Sequence, residues 1–192
     1  MTEAIGHGKG SLLIHTRDYV VRRGGEKAWS ALVDTASAAD RGVLTGIFLA
    51  GSWYPIGVVN RVVARFCEGT NEPDDEMRRL SAYIADTDLG SVYKMILRLG
   101  SPEMLVRRTG SLWSRYFDVG EMTPKQIDKH QWELRLAMPL EDDRAPNRLF
   151  CGPGCPSWIE MGLRLTGASN ARVTHVECRF QNRSACTYSV TW

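Results

Sequence analysis

A chain of 192 residues, 43% hydrophobic and 24% charged, has the composition of one globular domain with a full core, not of a disordered segment. Twenty-four Lys and Arg against 22 Asp and Glu leave a formal charge of +2. That charge is too small, and its basic pairs too scattered, to point to nucleic acid.

Residues 1–6 lack the basic-then-apolar pattern of a secretory signal, so a cytoplasmic setting with reduced thiols is expected. Five cysteines, an odd number, then favour metal binding over disulfides. Residues 42–60 carry no charge over 19 positions, but Gly46, Gly51, Pro55 and Gly57 interrupt them, which argues against a membrane span. The run Gly6-His7-Gly8-Lys9-Gly10 lacks the preceding strand and the spacing of a phosphate loop. It reads as part of a flexible tail over 1–9, leaving a single domain over 10–192.

In chain order, 18–23 reads as a short helix stopped by Gly24-Gly25, and 26–36 as another, with Trp29, Leu32 and Val33 on one face. Ser52 is placed to cap a helix over 53–66 whose inward stripe is Ile56, Val59, Val63 and Phe66. Asp74-Asp75-Glu76 put acids in the first turn of a long helix reaching about residue 99, where they complement the positive end of the dipole. Ser101-Pro102-Glu103 is a new start, with a Ser cap and Pro at the first helical position.

After Tyr116 the texture changes. Residues 117–125 and 131–138 read as strands, and 156–165 as a short helix stopped by Gly167. Residues 171–180 and 186–192 form a terminal hairpin. In its last strand Cys186, Tyr188, Val190 and Trp192 share one face with a period of two. Helices first, then strands with one late helix, make an α+β domain.

Chemistry concentrates in the last forty residues. Cys155, Cys178 and Cys186 stand at C-x22-C-x7-C, and His175 lies three residues before Cys178. Three thiolates and an imidazole would close a tetrahedral zinc site, with no vacant position for a substrate. Cys151 competes for the first ligand position; Cys155 is preferred because Pro156 starts a helix there, and a helix N-terminus favours a thiolate. One condition attaches to this set. His175 and Cys178 are an odd number apart, so both ligate only if the strand bulges or ends between them.

Several segments together resemble one family. Gly10-Ser11-Leu12-Leu13, Ser52-Trp53-Tyr54-Pro55, Ser101-Pro102-Glu103-Met104-Leu105 and Leu112-Trp113-Ser114-Arg115-Tyr116 are similar to a group of myxobacterial proteins of unknown function. So is the ending from Gly162 to Gly167 followed by Cys178…Cys186-x-Tyr188-x-Val190-x-Trp192. That group looks related to the 4-vinyl reductase domain and to the sensory domains of phenol- and xylene-responsive activators. The wider fold is shared with haem-based nitric oxide sensors and TRAPP vesicle-tethering subunits.

The resemblance implies an N-terminal helical layer packed on a C-terminal twisted antiparallel sheet, with an apolar ligand cavity between them. It also implies a zinc held by a Cys before the late helix, an acid three positions before the next Cys, that Cys, and a last Cys. Here these positions fall on Cys155, His175, Cys178 and Cys186, with His175 replacing the acid. The tyrosine–serine–arginine motif of the haem branch is absent, and His7, His15 and His130 stand on no convincing apolar helix face, so haem is not expected.

The leading expectation is a non-enzymatic sensory domain for a small apolar, aromatic or acyl ligand, lined from among Phe48, Trp53, Tyr54, Tyr93, Trp113, Tyr116 and Trp158. Its output would run through a signalling partner or a homodimer, since no DNA-binding or ATPase segment follows the last strand. The alternative is a ligand-free interaction or dimerisation module like the TRAPP subunits, with an exposed apolar face including Val58, Val62 and Val63. A reductase activity has no cofactor fingerprint to support it.

Overall fold

The computed structural model describes residues 5–92, 100–141 and 144–192. Its elements follow in order as β1 (His7–Lys9), α1 (Gly10–Asp34), α2 (Ala38–Leu44), β2 (Trp53–Pro55), α3 (Ile56–Glu68) and α4 (Pro73–Val92). Then come α5 (Pro102–Arg107), α6 (Thr109–Tyr116), β3 (Glu121–Asp128), β4 (Gln131–Ala137), α7 (Cys155–Leu165), β5 (Arg172–Glu177) and β6 (Cys186–Thr191). Among the described residues no helix is long and apolar enough to cross a membrane.

The helix boundaries have local causes. Within α1, Gly25 sits at φ 74°, ψ 177°, which breaks the helical path where Gly24-Gly25 marks a stop. A residue with a Cβ rarely takes that conformation. Ser101 Oγ accepts from Met104 N–H at 3.2 Å and Pro102 opens α5, the expected cap and first turn. In α4, Asp74, Asp75 and Glu76 occupy the first turn. The expected extension of this helix to residue 99 lies outside the described residues.

The sheet is fully antiparallel with strand order β3-β4-β6-β5. One face is buried, and the pairs Trp132↔Val190, Leu134↔Tyr188 and Leu136↔Cys186 lie on it in register. The helices cover that face: α4 packs on α7, and α7 packs on β5. The β6 burial pattern alternates as its sequence predicts, with Cys186, Tyr188 and Val190 inaccessible.

Three expectations are corrected. First, residues 1–4 of the expected tail lie outside the described residues, but His7–Lys9 is not tail. It pairs antiparallel with Trp53–Pro55. Second, Ser52 therefore caps nothing: Trp53-Tyr54-Pro55 is extended, and α3 begins at Ile56, whose N–H donates to Gly6 O at 2.8 Å. Third, Val58, Val62 and Val63 are buried rather than exposed, because α1 and α4 pack on α3. Asn60 of α3 also pins the 144–150 connection, donating to Ala145 O at 2.9 Å and accepting from Asn147 N–H at 3.2 Å.

Candidate metal centre and the cavities beside it

The strand condition on His175 and Cys178 is met. Along β5–β6, His175 pairs with Tyr188, but the next pair is Glu177 with Thr187, so Val176 is an extra residue in a β-bulge. A bulge sets two residues against one, so the odd spacing behaves as an even one. His175 and Cys178 thereby come to the same side as Cys186. Their ligand atoms all lie within 4.8 Å of one another. The imidazole stacks on Tyr188, with ring centroids 4.8 Å apart at 23°, and its Nε2 is buried without a hydrogen-bond partner among the described residues. A soft, borderline donor set with an orphaned imidazole nitrogen fits a transition-metal dication such as zinc.

The residues whose ligand atoms cluster are His175, Cys178 and Cys186; neither Cys151 nor Cys155 is among them. A π-helical turn, Phe150–Gly154, carries the chain into α7 and seats Cys155 inside the core at 3% exposure. Burial pushes its thiol up to about 12, and the Tyr188 hydroxyl donates to Cys151 O at 3.0 Å. Cys151, one turn earlier, points its Sγ at Pro146 O, 3.9 Å away. The neighbouring Cys151 thiol outweighs burial and, with His175 and the Arg179 backbone N–H, holds the Cys186 thiol far below its ordinary value. Cys151 itself is raised, by Cys186 and by burial.

Cys178 is half-buried, and with His175 it lines a surface groove of about 250 Å3 that also includes Arg78 and Arg148. This groove connects the centre to solvent. Arg179, buried beside Cys186, was not singled out by sequence reasoning; an arginine directly after a ligand cysteine looks like any surface charge until the fold places it.

Of the seven aromatic candidates, Trp113, Tyr116 and Trp158 converge. They line a cavity of about 40 Å3 together with Leu12, Phe117, Phe150 and Cys155. A second cavity of about 40 Å3, under α3 and α4, shares Leu12, Phe117, Phe150 and Trp158 with the first. Phe48, Trp53 and Tyr54 belong elsewhere, which corrects that part of the expectation. Phe48 packs edge-on against Trp29 and Tyr54, and Tyr54 Oη accepts from Leu49 N–H at 3.0 Å, holding the α2–β2 connection. Trp53 is 42% exposed, with Lys9 Nζ 3.6 Å from its ring centroid. Phe48 and Tyr54 are partly buried against the core beside Trp29, away from the lining of either cavity. Tyr93 lies outside the described residues.

Neither cavity is lined by a histidine. His15 Nε2 lies 2.6 Å from Asp88 Oδ1, His7 Nδ1 lies 2.7 Å from Asp118 Oδ2, and His130 meets Trp192 edge-on.

No family model matches this chain, and no curated protein does. Its fold is that of solved H-NOX proteins. An H-NOX protein from S. oneidensis in the Fe(II)NO ligation state superposes with a TM-score of 0.68 at 15% identity, covering 95% of this chain and 97% of that one. The Fe(II) unliganded H-NOX protein from K. algicida gives 0.67 at 11% identity, covering 95% of each. The IWP-051-bound H-NOX from Shewanella woodyi gives 0.63 at 10%, covering 95% of this chain and 93% of that one.

Proposed function

We propose that the chain is a sensory domain without catalytic activity of its own. A zinc ion fastens its terminal hairpin through His175, Cys178, Cys186 and Cys151, and a small apolar guest occupies the space between α1, α6 and α7. The observation that carries the metal part is the bulge at Val176, which turns an unfavourable spacing into three ligand atoms within 4.8 Å. With Cys151 the set is closed, so the ion holds structure and offers no position to a substrate. When bound, zinc supplies cross-linking of the hairpin to the turn before α7. The protein's own part is to present three sulfurs and one nitrogen from two elements.

The sensory part draws on the fold, shared with H-NOX proteins solved in Fe(II) and NO-bound states, and on two adjoining apolar cavities. That likeness weighs toward haem, but the side chains here do not fit it. Haem iron takes an axial His, Cys thiolate, Met or Tyr. No histidine lines either cavity, burial keeps both Tyr116 and Cys155 protonated, and the Met122 and Met77 thioethers that line them are ligands haem proteins pair with a histidine. About 40 Å3 also admits only a few waters, far below the roughly 300–1,000 Å3 of a typical ligand pocket. A guest of phenol size therefore requires the two spaces to join, through movement of Phe117, Phe150 or Trp158. Output then follows from whatever difference in affinity the guest has for the closed and joined forms, read by a signalling partner or a second copy.

Elemental analysis of protein purified without added metal tests the first part: one zinc per chain is expected, and loss of it in C186S. Metal-free wild type that cannot be loaded would sink the reading. Native mass spectrometry of the same sample tests the guest.

A second reading, a docking or self-association module of the TRAPP kind, rests on Ile47 and Leu49, 89% and 60% exposed on the α2–β2 connection. Light scattering across a hundredfold concentration range separates the two; a strict monomer removes the self-association form.

A further inference from the structure

The connection between α2 and β2 is built unlike an ordinary solvated loop. Residues 45–52 carry no charge, and Phe48 among them turns onto Trp29 and Tyr54. Ile47 and Leu49, on either side of Phe48, stand largely in solvent, and exposed Trp53 follows at the first residue of β2. Other exposed aliphatics among the described residues sit singly beside polar neighbours. Ile127 lies between Gln126 and Asp128, and Val176 between His175 and Glu177. Scattered exposure of that kind is normal, whereas a cluster on one loop marks an interaction site.

The loop is braced from behind. Gly10 N–H donates to Ser52 O at 2.9 Å, Ser11 N–H to Ala50 O at 3.2 Å, and Leu49 N–H to Tyr54 Oη at 3.0 Å. Lys9 Nζ donates to Gly51 O at 2.9 Å. Position 10 must be glycine for this approach, since a Cβ there would stand 2.1 Å from Leu49 O. Ile47 and Leu49 are thus held outward on an ordered backbone, which lowers the ordering cost of docking.

Charge selects the partner. Residues 5–17 and 41–67, which contain β1, β2 and this loop, hold no Asp or Glu. Lys9 Nζ sits 3.6 Å from the Trp53 ring centroid. Lys9 and Arg41 bond backbone oxygens, and neither makes an ion pair among the described residues. Asp40 is already held by Arg61, and Asp118, beside β1, by His7. Aliphatic tips, a Trp behind them and unpaired cations at the flank follow the order of depth in a bilayer interface. A protein partner would need a pocket shaped to the protruding side chains; a bilayer needs none.

We propose that residues 45–53 dock the domain on an anionic lipid surface. Ile47 and Leu49 enter the acyl boundary, Trp53 lies at headgroup level, and Lys9 and Arg41 meet the lipid phosphates. The contact is peripheral, since no helix among the described residues is long and apolar enough to cross. Docking of this kind requires neither the zinc nor the apolar guest.

The test uses the full chain and unilamellar vesicles, either phosphatidylcholine alone or an equal mixture of phosphatidylcholine and phosphatidylglycerol, read by flotation. Wild type should bind the mixed vesicles at least about fivefold more tightly, because each Lys or Arg near an anionic surface contributes roughly that factor. High salt should remove the difference. I47S/L49S should weaken binding to mixed vesicles by at least about tenfold, from the apolar area withdrawn. Brominated acyl chains should quench wild-type tryptophan fluorescence and leave W53F unquenched. These substitutions fall at exposed positions and should leave thermal unfolding by circular dichroism unchanged.

Wild type that ignores mixed vesicles overturns the proposal, as does I47S/L49S that binds them equally well. Equal affinity for the two vesicle types overturns the anionic assignment. A wild-type dimer that becomes monomeric in I47S/L49S, with no vesicle binding, overturns it by giving the loop to a second copy.

Discussion

Phe117 lines both apolar cavities, and removing its ring should join them. The side chain is 5% exposed and lies against Trp113 at 4.4 Å and Phe150 at 5.3 Å between ring centroids. Truncating a buried Phe to Ala costs about 3–5 kcal/mol, from lost transfer energy and the space left behind. For a chain of this length that corresponds to a fall in Tm of roughly 10 °C. With the ring gone, the two spaces of about 40 Å3 merge into one on the order of 150 Å3, the size of an apolar cavity that stays dry and takes up benzene. Toluene at ten times its Kd should then return about 1.4 kcal/mol to F117A, by mass action on the folded state. The assay is thermal unfolding by near-ultraviolet circular dichroism, with and without toluene, on wild type, F117A and F117L. F117L, which keeps most of the bulk, should lose less and respond less. A toluene shift equal in wild type and F117A would refute the reasoning, because the spaces would already be one.

Inserting one alanine between Val176 and Glu177 should push Cys178 out of register with Cys186 and weaken zinc binding by at least about 100-fold, whereas deleting Val176 keeps an even spacing in register and should preserve the site; chelator competition reads both. Glu76 is 1% exposed and accepts from Tyr19 Oη at 2.9 Å and Arg79 Nη2 at 2.7 Å. Burial pushes its carboxyl up, but hydrogen bonds from Arg79 and Tyr19 and the charge of Arg23 outweigh burial, so its net pKa is below the ordinary value. A lowered carboxyl stabilises above the unfolded pKa and loses that contribution as pH falls through the folded one. E76Q should therefore melt lower than wild type at pH 7, by about 1–2 kcal/mol, with the gap closing toward pH 3; a gap independent of pH would count against the ionic role. S101A should cost about 1 kcal/mol in urea unfolding through loss of the α5 cap.

The sequence announces some of this structure plainly. Ser101-Pro102 marks the start of α5 because cap and first turn are local chemistry, and the period of two in β6 survives because its partner strands bury one face. The bulge follows as a condition for ligation, since parity along a strand is geometry that spacing alone exposes. The failures share another cause. Pairing of His7–Lys9 with Trp53–Pro55 is a contact between segments far apart in the chain, and glycines alternating with polar residues carry no strand propensity to betray it. Cys155 looks the better ligand in sequence because Pro156 follows it, but the turn through Gly152-Pro153-Gly154 seats Cys151 and Cys155 alike in the core. Phe48, Trp53 and Tyr54 are aromatic like Trp113 and Tyr116, and composition does not say which rings face inward.

The opening strand has a practical consequence for anyone trimming this molecule. Beyond its pairing with β2, His7 donates its N–H to Asp118 Oδ1 at 2.6 Å, Gly8 bridges to Phe117, and Gly6 O receives the first amide of α3. At Gly6 even a methyl group would collide with the Arg144 carbonyl, at 2.0 Å. These few residues buckle the front helices to the doorstep of the sheet, so a version shortened to begin at Gly10 would leave that belt unfastened beside Phe117, a ring that lines both cavities.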